Sequence, residues 1–369
     1  MAYCIVAKTK SGKLTAAVTD IPLTAKHKHI KNMTQRLSAL TAKIMIAITA
    51  TTVLASCNGR NAVTRIEGFG IGTTYSVTVV GDAPADLREQ VEAVFATADS
   101  TLSVFNENSL LSRINRNETD IPNREITENI EIAGRVSELS GGRYDITVLP
   151  LVEAYGFIDG RQKSVDFDSL RPFIGYKKIS VRDGRIHKQH PQTRIDLNSV
   201  AKGYLVDRIA EIIEADGADN YLVNVGGEIF CRGNNPDGKP WRIAIDTPIE
   251  GNYIQGAHTE AIINVSGMGV ATSGNYRNFH TGEDGRKYTH IINPLTGENT
   301  ESNLLSATVI HTQCAYADAM ATMFMALGMD DSLKLLETHP EIAVLLIYSD
   351  NAGDMHQYVS KAMEQYMVR

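Results

Sequence analysis

The chain has 369 residues, of which 43% are hydrophobic, and its 36 basic and 43 acidic residues give a formal net charge of −7. The predicted removal of residues 1–56 takes away eight basic residues and one acid, which leaves 28 basic and 42 acidic groups and a net charge near −14. That charge excludes general nucleic-acid binding, which needs basic faces, and the four cysteines lack the C-x-x-C spacing of a zinc knuckle or a disulfide framework.

A short apolar run near the N-terminus predicts a secretion signal. Two basic residues follow Met33, and the uncharged run 44–54 leads to Ala-Ser before Cys57. The run is too short for a membrane span, which needs about 20 apolar residues. Leu-Ala-Ser-Cys at 54–57 resembles a bacterial lipobox, so Cys57 is predicted to carry a lipid and to anchor the protein at the extracytoplasmic (periplasmic) face of the inner membrane. An ordinary secretory signal is the alternative.

These features divide the chain into four predicted segments. Residues 1–32 are a doubtful extension, because Met33 is the better start codon, and residues 33–56 are the lipoprotein signal peptide. Residues 57–65 are a tether. Residues 66–369 are predicted to form a single large domain, because no linker rich in Pro, Gly or Ser interrupts them, and two intimately packed halves are the alternative.

Hydrophobic periodicity predicts helices that alternate with antiparallel hairpins, so the fold class is α+β rather than a regular βαβ series. Helices are predicted at 85–95, 125–139, 198–215, 315–327 and 330–337. Strands are predicted at 75–80, 146–151, 179–181, 221–225, 241–246, 261–265, 287–292, 304–310 and 342–348. Asn198 or Ser199 is predicted to cap the third helix, and Asp284-Gly285 to form a hairpin turn.

Glycine-rich stretches are candidates for close contact with a ligand. Gly68-Phe-Gly-Ile-Gly72 mimics a dinucleotide fingerprint, but it precedes a strand instead of opening a helix, so a Rossmann site is rejected. The corners at 225–227 and 267–274 let a ligand approach the backbone, and the hydroxyls of Thr272 and Ser273 suit phosphate oxygens. Tight turns alone would also explain both corners.

The segment 194–204 predicts an anion site where a strand leads into a helix. The N-terminus of a helix presents free N–H groups and a partial positive charge, and Lys202 in the first turn adds a full charge for a phosphate. Asp196, just before the turn, suits a sugar hydroxyl, a base edge or a metal. An ordinary capped helix is the alternative.

His290 lies at the predicted end of a hairpin strand, just before a turn. A histidine there can exchange a proton near neutral pH, although a hydrogen-bonded structural role fits equally well. His187 and His190 lie in a polar loop and are expected to be solvated.

The segment 315–326 predicts a helix with one acid among small and apolar residues. Asp318 and Thr322 are four residues apart, so their carboxylate and hydroxyl share a helix face. An acid in so apolar a helix needs a partner. Mg²⁺ suits, because it takes few protein oxygens and leaves positions for phosphate and water. A bond to a neighbouring backbone amide is the alternative.

Taken in this order, the segments resemble the ApbE family of FAD:protein FMN transferases over about residues 66 to 350. Eight short motifs in register carry the resemblance. They are Gly-Ile-Gly-Thr-Thr-Tyr (70–75), Ser-Val-Phe-Asn-Glu-Asn-Ser-Leu-Leu-Ser-Arg-Ile-Asn (103–115), Tyr-Asp-Ile-Thr-Val-Leu-Pro-Leu-Val (144–152), Ile-Asp-Leu-Asn-Ser-Val-Ala-Lys-Gly-Tyr (195–204), Val-Asn-Val-Gly-Gly-Glu (223–228), Thr-Ser-Gly-Asn-Tyr-Arg-Asn-Phe (272–279), His-Ile-Ile-Asn-Pro-Leu-Thr-Gly (290–297) and Ala-Asp-Ala-Met-Ala-Thr (317–322). The family commonly has Met where this chain has Ile71, which weakens only that assignment.

The resemblance implies a single α+β, T-fold-related domain with mixed, mainly antiparallel sheets and flanking helices. It implies an enzyme that moves the FMN half of FAD onto a threonine of a membrane redox subunit of the Nqr/Rnf type and releases AMP. Mg²⁺ would be held by Ser199, through its backbone carbonyl, and by Asp318 and Thr322. His290 would be the base toward the acceptor threonine. The residues implied to contact FAD are Ile71, Phe105, Arg143, Tyr144, Asp145, Asp196, Lys202 and Ile292.

The chemistry agrees with these roles and leaves two other functions open. Phosphoryl transfer needs charge neutralisation on the pyrophosphate and an aligned nucleophile, and a base that accepts the nucleophile's proton typically contributes about 10² to 10⁴ in rate. An FAD pyrophosphatase would use water in place of threonine and give free FMN and AMP. A non-catalytic flavin-binding lipoprotein would bind FAD without releasing AMP.

Overall fold

The computed structural model describes residues 62–158, 160, 166–249, 256–275, 279–281, 287–289, 291–300 and 302–368. All of them lie in the unit Val53–Arg369. The predicted extension, the signal peptide, Cys57, the Asp284-Gly285 turn and His290 lie outside the described residues. No helix within the described ranges is long and apolar enough to cross a membrane.

The described residues contain fourteen strands and seven α-helices. The strands are β1 (Val63–Gly70), β2 (Thr73–Val80), β3 (Ile179–Arg182), β4 (Arg185–Lys188), β5 (Tyr221–Val225), β6 (Glu228–Arg232), β7 (Trp241–Asp246), β8 (Thr259–Val265), β9 (Met268–Gly274), β10 (Phe279–Thr281), β11 (Lys287–Thr289), β12 (Leu304–His311), β13 (Ala343–Ser349) and β14 (Met355–Val359). The helices are α1 (Leu87–Thr101), α2 (Leu110–Asn115), α3 (Arg124–Leu139), α4 (Leu149–Ala154), α5 (Phe167–Leu170), α6 (Asn198–Ala215) and α7 (Cys314–Thr338).

One large sheet organises these elements. Within the described ranges it has eight strands in the order β1-β2-β5-β6-β9-β12-β13-β14, and each neighbouring pair is antiparallel. Three separate hairpins, β3–β4, β7–β8 and β10–β11, form the smaller sheets that the described residues show. The predicted α+β class with mainly antiparallel pairing is confirmed.

Both faces of the large sheet are covered. On one face the sheet packs with α1, α3, α6 and α7 in the main core, and on the other it packs against β7–β8. β13 contributes Val344 and Leu346 to the first core and Leu345 and Ile347 to the second. Burial on both faces explains why this strand is a continuous apolar run rather than an alternating one.

The first hairpin closes with a two-residue turn, Ile71-Gly72. Their φ angles are 44° and 79°, and positive φ at both central residues is the requirement of a type I′ turn. The rings of Tyr75 and Phe95 stack with centroids 4.5 Å apart below the hairpin. A Cβ on Gly68 would lie 2.4 Å from the Tyr75 ring, so glycine allows the ring to press on the strand.

Helices α6 and α7 approach each other very closely at Gly203. A Cβ on Gly203 would lie 2.3 Å from the backbone oxygen of Cys314. The Asp207 carboxylate of α6 accepts the backbone N–H groups of Cys314 and Ala315, at 2.7 and 2.9 Å. One helix therefore caps the other, and the start of α6 lies against the first turns of α7.

Two predicted elements are wrong. Residues 146–151 were predicted as a strand, but Leu149–Ala154 is a helix, because Pro150 suits a first helical turn and a short apolar run does not distinguish the two structures. Residues 267–274 were predicted as a corner, but Met268–Gly274 is strand β9. Its glycine serves close packing, since a Cβ on Gly269 would lie 2.5 Å from Cys314 Cα.

Three boundaries also differ from prediction. Neither Asn198 nor Ser199 caps α6, since Asn198 is its first residue and Leu197 is the N-cap position. Strand β1 begins at Val63, three residues inside the predicted tether. The helices predicted at 315–327 and 330–337 form one element, α7, which is kinked at Gly328, where φ is 73°.

Candidate active site

The start of α6 combines a helix N-terminus with a carboxylate. Asp196 Oδ1 accepts the backbone N–H of Asn198 at 2.9 Å. Burial raises the pKa of the Asp196 carboxyl to about 6, and the hydrogen bond from Asn198 offsets only part of this rise. Near neutral pH an ionised acid therefore stands beside N–H groups that attract anions.

Tyr144 fixes the side chain of Ser199 at the same helix end. The Tyr144 hydroxyl and Ser199 Oγ lie 2.8 Å apart and share a hydrogen bond. Burial raises the pKa of the Tyr144 phenol well above its ordinary value, so the ring remains neutral. The Ser199 side chain is thus bonded to Tyr144, whereas its predicted ligand atom is the backbone carbonyl.

Asp318 is a buried acid that bonds across the helix pair. The residue is 3% exposed, and its Oδ2 accepts the backbone N–H of Gly203 at 2.9 Å. In a regular α-helix that N–H bonds to the carbonyl four residues earlier, which here is the carbonyl of Ser199. Burial raises the pKa of Asp318 to about 7, although Lys202 lowers it. The alternative predicted for Asp318, a bond to a backbone amide, is therefore observed, but the amide belongs to α6.

Lys202 lies between two buried carboxylates. Its ammonium donates to Oε1 of Glu228 and is 4.0 Å from Oδ1 of Asp318. Burial disfavours the charged form, but Glu228 and Asp318 outweigh it and raise the pKa of Lys202 above its ordinary value. About a third of the Lys202 side chain is exposed, at 34%, so the charged group also borders open space.

Thr322 completes this cluster one helical turn beyond Asp318. Its Oγ1 is 3.1 Å from Oγ of Ser273 on β9, so the two hydroxyls share a hydrogen bond. The neighbouring hydroxyl of Thr272 bonds instead to Thr308 on β12, at 2.8 Å. Of the two hydroxyls predicted for phosphate, only Ser273 therefore contacts the helix that carries Asp318.

The cluster fits a divalent cation held partly by a substrate. Two buried carboxylates, Glu228 and Asp318, face a single ammonium, and Oε2 of Glu228 has no hydrogen-bond partner among the described residues. No group of three or more His, Cys, Asp or Glu side chains within those residues is arranged to hold a metal. Mg²⁺ commonly takes one or two carboxylates and obtains its other oxygens from water and phosphate, which is compatible with this donor set.

Comparison with known proteins identifies the family of this chain. The model of the ApbE family matches residues 71–346, well over half of the chain. The chain belongs to the ApbE family. Curated relatives of this ApbE chain include the FAD:protein FMN transferase of Vibrio cholerae serotype O1, which is 30% identical over 88% of this chain and 98% of the relative. That of Salmonella typhimurium is 34% identical over 78% of this chain and 85% of the relative.

Solved structures share the fold of this ApbE-family chain. The flavin transferase ApbE from Vibrio cholerae superposes with a TM-score of 0.73 at 29% identity, covering 82% of this chain and 99% of that one. The flavinyl transferase ApbE of Pseudomonas stutzeri gives a TM-score of 0.72 at 32% identity, covering 82% and 96%. The predicted ApbE-like fold is therefore confirmed.

Two of the residues predicted to contact FAD are presented on loops of the ApbE fold. Phe105 lies between α1 and α2 and is 60% exposed, an uncommon position for a large aromatic side chain. Ile71 occupies the strained turn of the first hairpin. An exposed ring and a strained residue are both typical of ligand-binding surfaces, and their contact with FAD stays a prediction.

Three others are engaged within the protein. The Arg143 guanidinium lies 3.4 Å from the carbonyls of Ala326 and Leu327, at the kink of α7. Asp145 uses both carboxylate oxygens internally, on Thr147 and on the backbone N–H of Tyr176. Ile292 is buried in a small apolar cluster around α4. Their side chains are therefore engaged in contacts within the protein, and their contact with FAD stays a prediction.

Sequence reasoning assigned no role to two acids that build the cluster. In the sequence Glu228 is the last residue of the motif 223–228, and Asp207 lies outside every motif. Both meet their partners only in the folded chain, Glu228 at Lys202 and Asp207 at the start of α7. One signal in the sequence could have pointed to Glu228, namely an acid directly after the turn Gly226-Gly227. That acid begins β6 and bonds to Lys202 of α6.

Proposed function

We propose that this ApbE-family chain is an FAD:protein FMN transferase, the activity for which its curated relatives are named. The observation that carries the proposal is the meeting of Lys202 and Asp318 near the start of α6, with Thr322 one helical turn beyond Asp318 on α7. Lys202 offers an ammonium to a pyrophosphate, and Asp318 and Thr322 offer oxygen ligands to a cation that would bind the pyrophosphate. Phosphoryl transfer depends on this combination of charge and positioning.

The FAD pyrophosphate would bind at the start of α6. Lys202 is charged and partly exposed, and the partial positive charge at the N-terminus of α6 adds to its attraction for an anion. Asp196, which is ionised at neutral pH, would accept a hydrogen bond from a hydroxyl of FAD. Phe105 would cover a ring of the dinucleotide, since an exposed aromatic side chain gains contact area and stacking when it does so.

Mg²⁺ would be held by Asp318, Thr322 and the Ser199 carbonyl. The Gly203 N–H donates to Asp318, and this bond brings the carboxylate to the turn of α6 that begins at Ser199. When bound, the cation would neutralise charge on the pyrophosphate and orient it. Ser273 Oγ can accept a hydrogen bond from the Thr322 hydroxyl, which leaves the lone pairs of Thr322 directed away from β9.

The transfer step forms one bond and breaks one. The hydroxyl oxygen of the acceptor threonine attacks the phosphorus on the FMN side, the bond to the bridging oxygen breaks, and AMP leaves. His290 would accept the hydroxyl proton, as the motif around it implies, and a base of this kind typically raises the rate by about 10² to 10⁴.

The acceptor would be a membrane redox subunit of the Nqr/Rnf type. A lipid on Cys57 would hold the enzyme at the extracytoplasmic face of the inner membrane, with the chain beyond it, up to about Val63, as a short tether. Confinement of enzyme and acceptor to one surface raises their effective concentration.

The proposal is tested by incubating the mature protein with FAD, Mg²⁺ and a subunit that carries the family's acceptor motif. We expect a fluorescent flavin band that survives SDS, and AMP in equal amount. Free FMN with AMP but no adduct would identify a pyrophosphatase. Bound FAD without AMP would identify a flavin-binding lipoprotein, and either result would contradict the proposal.

A further inference from the structure

Glu228 contacts Lys202, the cation of the site, whose charge two carboxylates share. It is the first residue of β6, directly after Gly226-Gly227, and is 2% exposed. Its Oε1 accepts a hydrogen bond from the ammonium of Lys202, whereas Oδ1 of Asp318 is 4.0 Å from the same nitrogen. The ammonium therefore has two carboxylates within reach and is bonded to one of them.

The second oxygen of Glu228 strengthens this preference. Oε2 is buried and has no hydrogen-bond partner among the described residues. It lies beside the turn, where a Cβ on Gly226 would be 3.4 Å from it. Because no described donor competes for the carboxylate, its charge is available to Lys202 alone.

Loss of the negative charge of Glu228 would change the partner of the Lys202 ammonium. A lysine ammonium sits on a flexible four-carbon stem, and a buried carboxylate attracts the nearest cation strongly because the surroundings screen it poorly. Without the charge of Glu228, the ammonium would pair with Oδ1 of Asp318. That ion pair would neutralise the acid and occupy the oxygen that a divalent cation needs.

We propose that Glu228 is a positioning residue that holds the Lys202 ammonium away from Asp318 and so keeps the Asp318 carboxylate open to a divalent cation. The inference rests on the proposed function for its use of Mg²⁺. The net charge of the cluster is consistent with this role, since two carboxylates and one ammonium leave one negative charge to attract a cation. Neutral glutamine at 228 would leave none.

The test measures binding of Mn²⁺, which prefers the same oxygen ligands as Mg²⁺ and is detected by its electron paramagnetic resonance. Mn²⁺ is titrated into the mature protein alone and with FAD. We expect Glu228→Gln to weaken binding by about tenfold or more, the usual range for residues that act behind a metal ligand. Lys202→Met with Glu228→Gln should restore binding, because the competing ammonium is removed and one negative charge returns.

Two further variants keep the test independent of folding. Lys202→Met alone should bind Mn²⁺ without FAD at least as tightly as the unmodified protein. Glu214→Gln breaks the 3.0 Å ion pair with Arg232 at the opposite end of α6 and should leave Mn²⁺ binding unchanged. Thermal unfolding of every variant shows whether it is folded.

Two results would overturn the positioning role: unchanged Mn²⁺ binding in Glu228→Gln, or a double variant that stays weak. Either leaves the transferase proposal standing, because the unmodified protein still binds the ion. An unmodified protein that binds no Mn²⁺ even with FAD would overturn the metal-dependent part of the proposed function and the positioning role together.

Discussion

Several individual residues are held in states that are unfavourable for folding. Ile71 has a φ of 44°, a conformation that β-branched residues rarely adopt. Asp196 and Asp318 are acids whose pKa values burial raises to about 6 and about 7. Such strain and buried charge commonly accumulate where a ligand binds, because the ligand relieves them.

Replacement of Ile71 separates stability from ligand binding. Backbone strain of this kind costs on the order of 1–3 kcal/mol, and asparagine suits the first position of a type I′ turn. Relief of the strain should raise the free energy of unfolding in urea, and the loss of some apolar contact should reduce this gain to about 1 kcal/mol for Ile71→Asn. The same loss of contact should weaken FAD binding. Asp183→Asn, at φ 51° in the β3–β4 turn, is the control with little expected change. An Ile71→Asn protein that is less stable than the unmodified protein would contradict the claim that Ile71 is strained.

The charge of Asp196 predicts a pH-dependent stability. Its pKa of about 6 in the folded protein exceeds the ordinary 3.8, so the folded state binds the proton more tightly. Stability from this group is full below about pH 4 and is lost as the pH rises through 6. Asp196→Asn keeps an acceptor for Asn198 and removes the charge.

We therefore expect Asp196→Asn to gain about 1 kcal/mol at pH 7.5, since a full pKa unit corresponds to about 1.4 kcal/mol and the carboxylate is only partly buried. Near pH 4 the gain should vanish. Thermal unfolding at both pH values measures the difference between the variant and the unmodified protein. An equal gain at both values would show that the charge is not its cause.

At the scale of elements, the contact between α6 and α7 builds the site. Gly203 allows the two helices to touch, Asp207 caps the start of α7, and the Gly203 N–H reaches Asp318. The position of Asp318 relative to Lys202 therefore depends on how closely the helices pack. A change of less than an ångström there would alter the distances on which charge balance depends.

Gly203→Ala tests this contact. The added Cβ would lie 2.3 Å from the Cys314 oxygen, which is backbone and cannot turn away. We expect a loss of about 2–3 kcal/mol in chemical unfolding, as for other overpacked cores. Gly134→Ala is the matched control, because a Cβ there meets nothing within 4 Å and alanine favours a helix by up to about 1 kcal/mol. Equal stability of the two variants would contradict the close approach.

The long periodic helices and the alternating strands could be predicted from the sequence, because their patterns are local. Residues 125–139 and 221–225 match the observed α3 and β5 closely. Strand β9 could not be predicted, since its glycines meet α7 only in the folded chain. Motifs pointed to Asp318 and Lys202, but the role of Glu228 depends on a carboxylate and an ammonium that are 26 residues apart in sequence.

At the scale of the whole molecule, a lipid on Cys57, as we propose, would determine where the enzyme meets its acceptor. Cys57→Ser should abolish incorporation of labelled fatty acid and move the protein from the membrane fraction to the soluble envelope fraction. Transfer to a soluble acceptor fragment should be unchanged, whereas transfer to the membrane-bound subunit should slow, because the two no longer share a surface. A Cys57→Ser protein that still carries fatty acid and remains in the membrane would contradict the anchor.

The central claim, that the cluster at α6 and α7 transfers FMN to a protein, is tested most directly by mass spectrometry of the acceptor after reaction with FAD and Mg²⁺. We predict that one threonine gains the mass of FMN less water, and that Asp318→Ala and His290→Ala abolish or greatly slow this gain. An unmodified acceptor, in the presence of folded enzyme with FAD bound, would contradict the claim.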